Sequence, residues 1–395
     1  MLSDDYLELL NKWKNHENTF KRNVEDKILP FVSNKNCVFL YGPRRSGKSV
    51  VAKRILAQMS KNTKTRYINL EDPKLMELLT VDLMDTFADG LKKEDTIVFD
   101  EVQLINGWEK WVRRAVDTRQ CKVIVTGSSA KLLSSEFASS LGGRGIGFQV
   151  LPLSFAEFHR VTKKNFNEYL KLGGYPEVIL NPEKKEKLLE SYFELSLIKD
   201  IVTRYAIRDV ASLRNLALYL LTNSSKETSL KQIRNALGLS YDTIRQFIEY
   251  LESAFLIFQV LHFSYSLKES LTKPRKIYAQ DLGMQQYTTK SFTPDFGRLV
   301  ENSVAIELRS KGFEVFYWKG KKEVDLVAKS KTEITPINVT FTHNPPEREY
   351  ASLEEFCNNF KIKNPELIYT GKTNTIQKEK LQIKQNNIEE WLLQK

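Results

Sequence analysis

A chain of 395 residues exceeds what one ordinary hydrophobic core organises, and its length suggests two to four domains. Its 60 Lys and Arg against 49 Asp and Glu leave a formal net charge of +11, which suits a polyanionic partner such as nucleic acid or an anionic membrane surface. Three cysteines, Cys37, Cys121 and Cys357, stand far apart with no Cys/His ligand spacing. That excludes a structural zinc site and a disulfide framework, and leaves them as buried thiols.

The first 35 residues read as a charged helical segment. "MLSDDYLELLNKWKNHENTF" contains no uninterrupted apolar stretch of the kind a signal peptide needs. The longest apolar run, Ala254 to Phe263, is about half the roughly 20 residues that span a bilayer. A cytoplasmic location without a membrane partner is the expectation.

"NCVFLYGPRRSGKSVVAKRILAQM" reads as strand, glycine loop and helix. The loop is Gly42-Pro43-Arg44-Arg45-Ser46-Gly47-Lys48-Ser49. Its backbone N–H groups and the helix N-terminus form an anion nest, Lys48 reaches the β- and γ-phosphates, and the Ser49 hydroxyl coordinates magnesium. In "DTIVFDEVQ" an apolar strand ends in Asp100 and Glu101. Asp100 is then the magnesium-side carboxylate and Glu101 the group that polarises the attacking water, with a solvated acidic turn as the bland alternative.

A third strand, "CKVIVTGSS", brings Thr126, Ser128 and Ser129 to the same sheet edge, with Ser128 as sensor of the γ-phosphate. In "SSLGGRGIGF" Arg144 is held between glycines. It is a candidate finger for transition-state charge, in its own site or a neighbour's, against the alternative of a surface arginine in a turn.

With these residues in hand the chain resembles the archaeal and bacterial AAA-type ATPases that carry a C-terminal domain of unknown function with an endonuclease-like core. The resemblance rests on "GPRRSGKS", "YINLEDP", "VFDEVQLINGWEKWVRR", "VIVTGSSAKLLS", "GGRG" with "LPLSFAEF", "GGYPEV", "KIYAQDLGM" and "GRLVENSVAIELRSKGFEVFYW". It implies an α/β fold: a P-loop AAA-type core (36–155) with a helical lid (156–222), a winged helix-turn-helix (223–290) and a restriction-endonuclease-like α/β domain (291–395). It also implies that Lys48, Ser49, Asp100 and Glu101 hold and hydrolyse ATP with Mg2+, that Arg144 is the family's "GR" arginine, and that the chain forms a homo-oligomer.

Helical spacing runs from Leu151 to about Thr222, where Arg204 and Arg208 face nucleotide, a neighbour or simply solvent. "SLKQIRNALGLSYDTIRQFIEYLESAFLIFQVLHFS" then gives helix, turn, helix and strand. A polar hairpin tip with Lys268, Lys273, Arg275 and Lys276 follows. A second helix in the major groove would present Ser240, Tyr241, Thr243, Arg245 and Gln246, so Tyr241, Thr243, Arg245, Lys273 and Arg275 are the candidate DNA contacts. Asp242 and Glu249 on that helix keep a protein-contact role open.

At the C-terminus, Asn338-Val339-Thr340 reads as a glycosylation acceptor, a plain β-branched strand or a nuclease strand without its acid and lysine. The cytoplasmic expectation removes the first. A restriction-type site, as the resemblance suggests, needs a helix glutamate, a strand aspartate and an acid-x-lysine. Glu301 and Asp325 fill the first two places, while Asn338 and Thr340 stand at the others. The expectation is a nuclease-like fold without cleavage chemistry, unless Lys329 or Lys331 supplies the missing charge. The polar tail from Lys372 to Asn386 reads as a solvent-facing strand and turn.

Function classes follow. An ATPase coupled to DNA binding or remodelling leads, a nucleotide-gated switch with a protein partner is the alternative, and an ATP-dependent nuclease is the minor one.

Overall fold

The computed structural model describes residues 19–33, 36–60, 63–128, 141–289, 295–378 and 381–394. The chain divides into two compact units, residues 1–152 and 153–395.

In the first unit, helix α1 (Asn23–Val32) precedes β1 (Cys37–Tyr41) and α2 (Lys48–Met59). Next come β2 (Thr65–Asn69), α3 (Val81–Ala88), β3 (Thr96–Asp100), α4 (Trp108–Asp117), β4 (Lys122–Gly127) and β5 (Gly145–Gln149). The strands form one parallel sheet in the order β2-β3-β4-β1-β5. A parallel sheet with crossover helices is covered on both faces, which is why its strands read as unbroken apolar runs. Alternation assigns the faces. Phe39, Ile97, Phe99, Val123 and Val125 pack against Met84, Phe87, Trp111 and Val112. Val38, Leu40, Val98 and Ile124 pack against Ile28, Val32, Val51 and Ile55. Because all five strands run the same way, the ends of β1, β3 and β4 open on one edge.

The second unit begins with α5 (Phe155–Thr162), α6 (Phe166–Leu172), α7 (Pro176–Leu180), α8 (Lys185–Leu195) and α9 (Val210–Thr222). The order then runs β6 (Lys226–Thr228), α10 (Leu230–Leu237), α11 (Tyr241–Ser253), β7 (Ile257–His262), α12 (Leu267–Thr272), β8 (Arg275–Ala279) and α13 (Leu282–Thr288). The last stretch is α14 (Phe296–Ser310), β9 (Glu314–Lys319), β10 (Glu323–Lys329), β11 (Ile334–Val339), α15 (Glu347–Phe360), β12 (Glu366–Tyr369), β13 (Asn374–Lys378), β14 (Leu381–Asn387) and α16 (Ile388–Leu393).

These strands form a single nine-stranded sheet, β13-β14-β12-β11-β10-β9-β7-β8-β6. The three-stranded part next to the paired helices is therefore continuous with the C-terminal meander through β7 and β9, which pair in parallel at Leu261–Phe316 and His262–Tyr317. Two sequence motifs meet here. A Cβ on Gly173 would lie 2.5 Å from the Asp281 carboxylate, and Asp281 accepts hydrogen bonds from the N–H groups of Gly174 (2.7 Å) and Met284 (2.9 Å). "GGYP" and "QDLGM" are thus two halves of one backbone contact.

Three expectations change. Lys276 is not at a polar tip: it lies on β8 and is 1% exposed. The segment before it carries α12, with Tyr265, Leu267 and Leu271 exposed, so the tip is partly apolar. The polar tail is only half solvent-facing, because β14 runs between β13 and β12 and buries Ile383, Gln385 and Asn386. The three cysteines are free and buried, as expected. Burial pushes the thiols of Cys121 and Cys357 up to about 12.

Candidate active site

The loop after β1 is forced by its glycines. Gly42 has φ +152°, and a Cβ there would lie 2.1 Å from the carbonyl oxygen of Val150. Gly47, at φ +98°, caps α2 in a left-handed conformation that side chains rarely adopt. The helix start leaves its first N–H groups outside the intrahelical ladder. Lys48 is buried and its ammonium donates to the carbonyls of Gly42 (3.1 Å) and Pro43 (2.9 Å). The loop is braced from behind by Arg22, whose guanidinium donates to the carbonyls of Ser46 (2.9 Å) and Leu151 (2.8 Å). Arg44 pairs with Glu71 at 3.1 Å, and Arg45 takes a left-handed conformation, φ 64°.

Asp100 and Glu101 reach the same edge from β3. The Asp100 carboxylate accepts from the hydroxyls of Thr126 and Tyr67, and the Ser49 hydroxyl faces it closely enough to favour its charge. Burial and then the charge of Glu101 raise the Asp100 carboxyl above its ordinary range, against those three donors. Glu101 sits in a left-handed conformation (φ 59°, ψ 50°), and its N–H donates to Thr126 Oγ1 at 3.0 Å. Its carboxylate lies 3.9 Å from Lys48 Nζ and is hydrogen-bonded to Gln103 and Ser128. Burial works against the Glu101 charge, but Lys48, Gln103, Arg44 and Ser128 together hold its carboxyl below the usual range.

The donor set fits a magnesium–nucleoside triphosphate. Ser46 Oγ is fully buried and has no hydrogen-bond partner among the described residues, in a loop whose backbone admits no side chain at Gly42. Lys48 would hold phosphate oxygens there, while Ser49 and Asp100 would hold the metal. Lys48, Ser49, Asp100, Glu101, Thr126 and Ser128 are brought together. Ser129 lies outside the described residues. Tyr67, Gln103 and Arg22 were not singled out in sequence. Tyr67 stands in "YINLEDP", where its place on a strand beside β3 was the available signal.

The AAA domain family matches residues 34–159, and two domains of unknown function, DUF8612 and DUF4143, match residues 163–295 and 296–387. The uncharacterized protein MJ1544 of Methanocaldococcus jannaschii is 33% identical over 92% of this chain and 86% of its own. The chain belongs to that AAA-domain family. A Haemophilus influenzae protein is 28% identical over 89% of this chain and 93% of its own. Among solved structures, the RuvB Holliday junction branch migration motor of Thermotoga maritima is 16% identical, with TM-score 0.35, 61% of this chain and 90% of that chain covered. AMPPCP-bound DnaA from Aquifex aeolicus is 17% identical, with TM-score 0.32, 58% of this chain and 86% of that chain covered.

Other expected site residues of this AAA-domain protein lie elsewhere. Arg144 immediately precedes β5, where its carbonyl accepts from the N–H of Cys37 (2.8 Å) and its guanidinium pairs with Asp117 at 2.5 Å. Cys37 begins β1 and the loop follows Tyr41, so Arg144 is at the opposite edge of the sheet from its own Lys48. It does not reach its own Lys48.

Arg245, Lys273 and Arg275 line one cavity of about 470 Å³ between α11 and β8. Arg245 is tied to Asp242 at 3.1 Å and Arg275 donates to Gln259 at 2.7 Å. Tyr241 is half-exposed under the Arg234 guanidinium, and the Thr243 N–H is spent on the Ser240 cap.

Glu301 and Asp325 do meet, around the Lys276 ammonium at 3.0 and 3.9 Å. Asn338 is fully buried. Its oxygen accepts from the Asp325 N–H (3.1 Å), and its amide donates to Ser352 Oγ (2.7 Å) and the Glu349 carbonyl (2.8 Å). Thr340 follows the end of β11, with its N–H on the Ile368 carbonyl. Lys329 pairs with Glu314 at 2.9 Å. Among the described residues no group of three or more His, Cys, Asp or Glu is arranged to hold a metal.

Proposed function

We propose that this chain is an ATP-hydrolysing AAA-type ATPase that couples Mg-ATP turnover to DNA binding or remodelling. The observation that carries it is the convergence of Lys48, Ser49, Asp100 and Glu101 on one sheet edge, with Ser49 facing Asp100 and Glu101 beside Lys48. Lys48 binds the phosphates, Ser49 and Asp100 hold Mg2+, which neutralises developing charge, and Glu101 orients the water. Ser128 senses the γ-phosphate through its bond to Glu101. Arg144 completes the site of an adjacent subunit, which makes a homo-oligomer the working form.

DNA contact is supported by the order α9, β6, α10, α11, β7, α12, β8, which is compatible with a winged helix, and by the basic trio Arg245, Lys273 and Arg275 around one cavity. The meander β9-β10-β11 with α14, α15 and β12 supports an endonuclease-like framework, and the commitment of the Asn338 amide to α15 argues against cleavage by it. The test is the hydrolysis rate with and without duplex or single-stranded DNA, with Lys48→Ala as blank. A several-fold rise that falls steeply with salt is expected. No binding and no change of rate at low salt would sink the DNA coupling.

The exposed Tyr265, Leu267 and Leu271 and the Arg245–Asp242 pair favour a second reading, a nucleotide-gated switch whose winged helix meets a protein. Under it, the Glu101→Gln form recovers a protein and its hydrolysis ignores DNA.

A further inference from the structure

Lys276, Glu301, Glu323 and Asp325 come from β8, α14 and β10, yet they meet within a few ångströms. Lys276 Nζ lies 2.7 Å from Glu323, 3.0 Å from Glu301 and 3.9 Å from Asp325, and the Tyr278 hydroxyl donates to Glu301 at 2.6 Å. The other Asp325 oxygen accepts from the N–H of Val339 at 2.9 Å. Burial works against the ammonium, and Glu301, Asp325 and Glu323 outweigh it, so Lys276 is held above the ordinary lysine range. One buried cation thus serves three carboxylates, of which Glu323 is the most exposed.

Three hard oxygen groups around one positive centre are the ligand chemistry of Mg2+ or Mn2+, which needs oxygens at about 2.1 Å. The ammonium nitrogen stands 2.7 to 3.9 Å from these carboxylates, farther than a metal stands from its ligands, and holds the centre between them. We propose that Lys276 is the resident cation of this cluster, occupying the place of a divalent ion, excluding metal-dependent chemistry there, and tying β8 to α14 and β10. This goes beyond the nucleotide-site reading and does not depend on it. Lys276 and Tyr278 sit two apart on one face of β8, and both reach Glu301.

The test uses the full chain without nucleotide, with Asp100→Asn to silence the first site. Thermal unfolding of the second unit is compared for Lys276 and Lys276→Met, in millimolar MnCl2 and in NaCl of equal ionic strength. The midpoint is expected to fall by roughly 10 °C in the Met form, and manganese, but not sodium, should restore at least half of the loss. With Lys276 present, manganese should move the midpoint no more than sodium does. Manganese stabilising the Lys276 form as strongly, an unchanged Met form, or a fall that manganese does not repair would each overturn the proposal. Should Lys276→Met yield no folded chain, the combination with Glu323→Gln and Asp325→Asn decides. It should fold and ignore manganese, and failure to fold would count against the ammonium as counter-charge.

Discussion

Both units place a buried lysine beside acidic side chains, and the two lysines are held in opposite ways. Lys48 donates to the carbonyls of Gly42 and Pro43 and stands 3.9 Å from Glu101, whereas Lys276 is in direct contact with Glu301 and Glu323. Carbonyl dipoles can be exchanged for phosphate oxygens at small cost. Carboxylates cannot release an ammonium without leaving buried charge uncompensated. On the proposed readings, the same side chain serves ligand binding in one place and closure of a site in the other.

Substitution should separate these roles. Lys48→Ala is expected to lower ATP hydrolysis by about 10³-fold, about 4 kcal/mol of transition-state stabilisation, with the unfolding midpoint nearly unchanged. Lys276→Met should do the reverse, leaving basal hydrolysis near that of the parent while the second unit loses about 3–5 kcal/mol. Steady-state rates and denaturant titrations on the same preparations check both. A Lys276→Met form of full stability, or a Lys48→Ala form that still hydrolyses, would erase the contrast.

A buried carboxylate held mainly by backbone N–H groups, with Lys185 as a weaker counter-charge, extends the comparison. Asp281 is buried and bonded only to backbone N–H groups among its close contacts, and burial, opposed by those groups, raises its carboxyl from 3.8 to about 6. The folded state therefore holds the proton more tightly than the unfolded chain. Its contribution is fully present below about pH 4 and is lost as the pH rises through about 6. Between pH 4 and 7, Asp281→Asn should gain about 3 kcal/mol relative to the parent chain, read from unfolding free energies at the two pH values. An Asn form that tracks the parent across this range would show that the N–H groups fully carry the charge.

How much was legible in sequence followed how locally each site is coded. Gly42 to Ser49 and Asp100-Glu101 each lie in one contiguous stretch whose backbone geometry the glycines and strand ends dictate, so their meeting at one sheet edge could be read residue by residue. Lys276 was read with its neighbours Lys273 and Arg275 as a polar tip. The period of two on a strand, which puts Lys276 on the face of Tyr278, was the signal that separated them. Glu323 escaped because its partner arrives from β8, some 47 residues earlier, and no local pattern announces a pairing of that span. The side of the sheet on which Arg144 falls was equally hidden, since it depends on β5 pairing with β1.

The smallest expected effect belongs to Tyr67, which strengthens the nucleotide half of the comparison. Its hydroxyl donates to Asp100, whose other oxygen is held by Thr126, so the carboxylate is oriented from two sides before any metal arrives. Burial, followed by the Asp100 charge, raises the Tyr67 phenol, so it remains a donor throughout the working pH range. Tyr67→Phe removes one donor of several and should cost about 1 kcal/mol, roughly a fivefold higher magnesium requirement at saturating ATP, with little change in maximal rate. The Lys53 ammonium, 4.6 Å from the ring centre, keeps its aromatic partner in the Phe form. A fall in maximal rate at saturating magnesium would instead place Tyr67 in the chemical step. An unchanged magnesium requirement would mean that Thr126 and Ser49 orient Asp100 unaided.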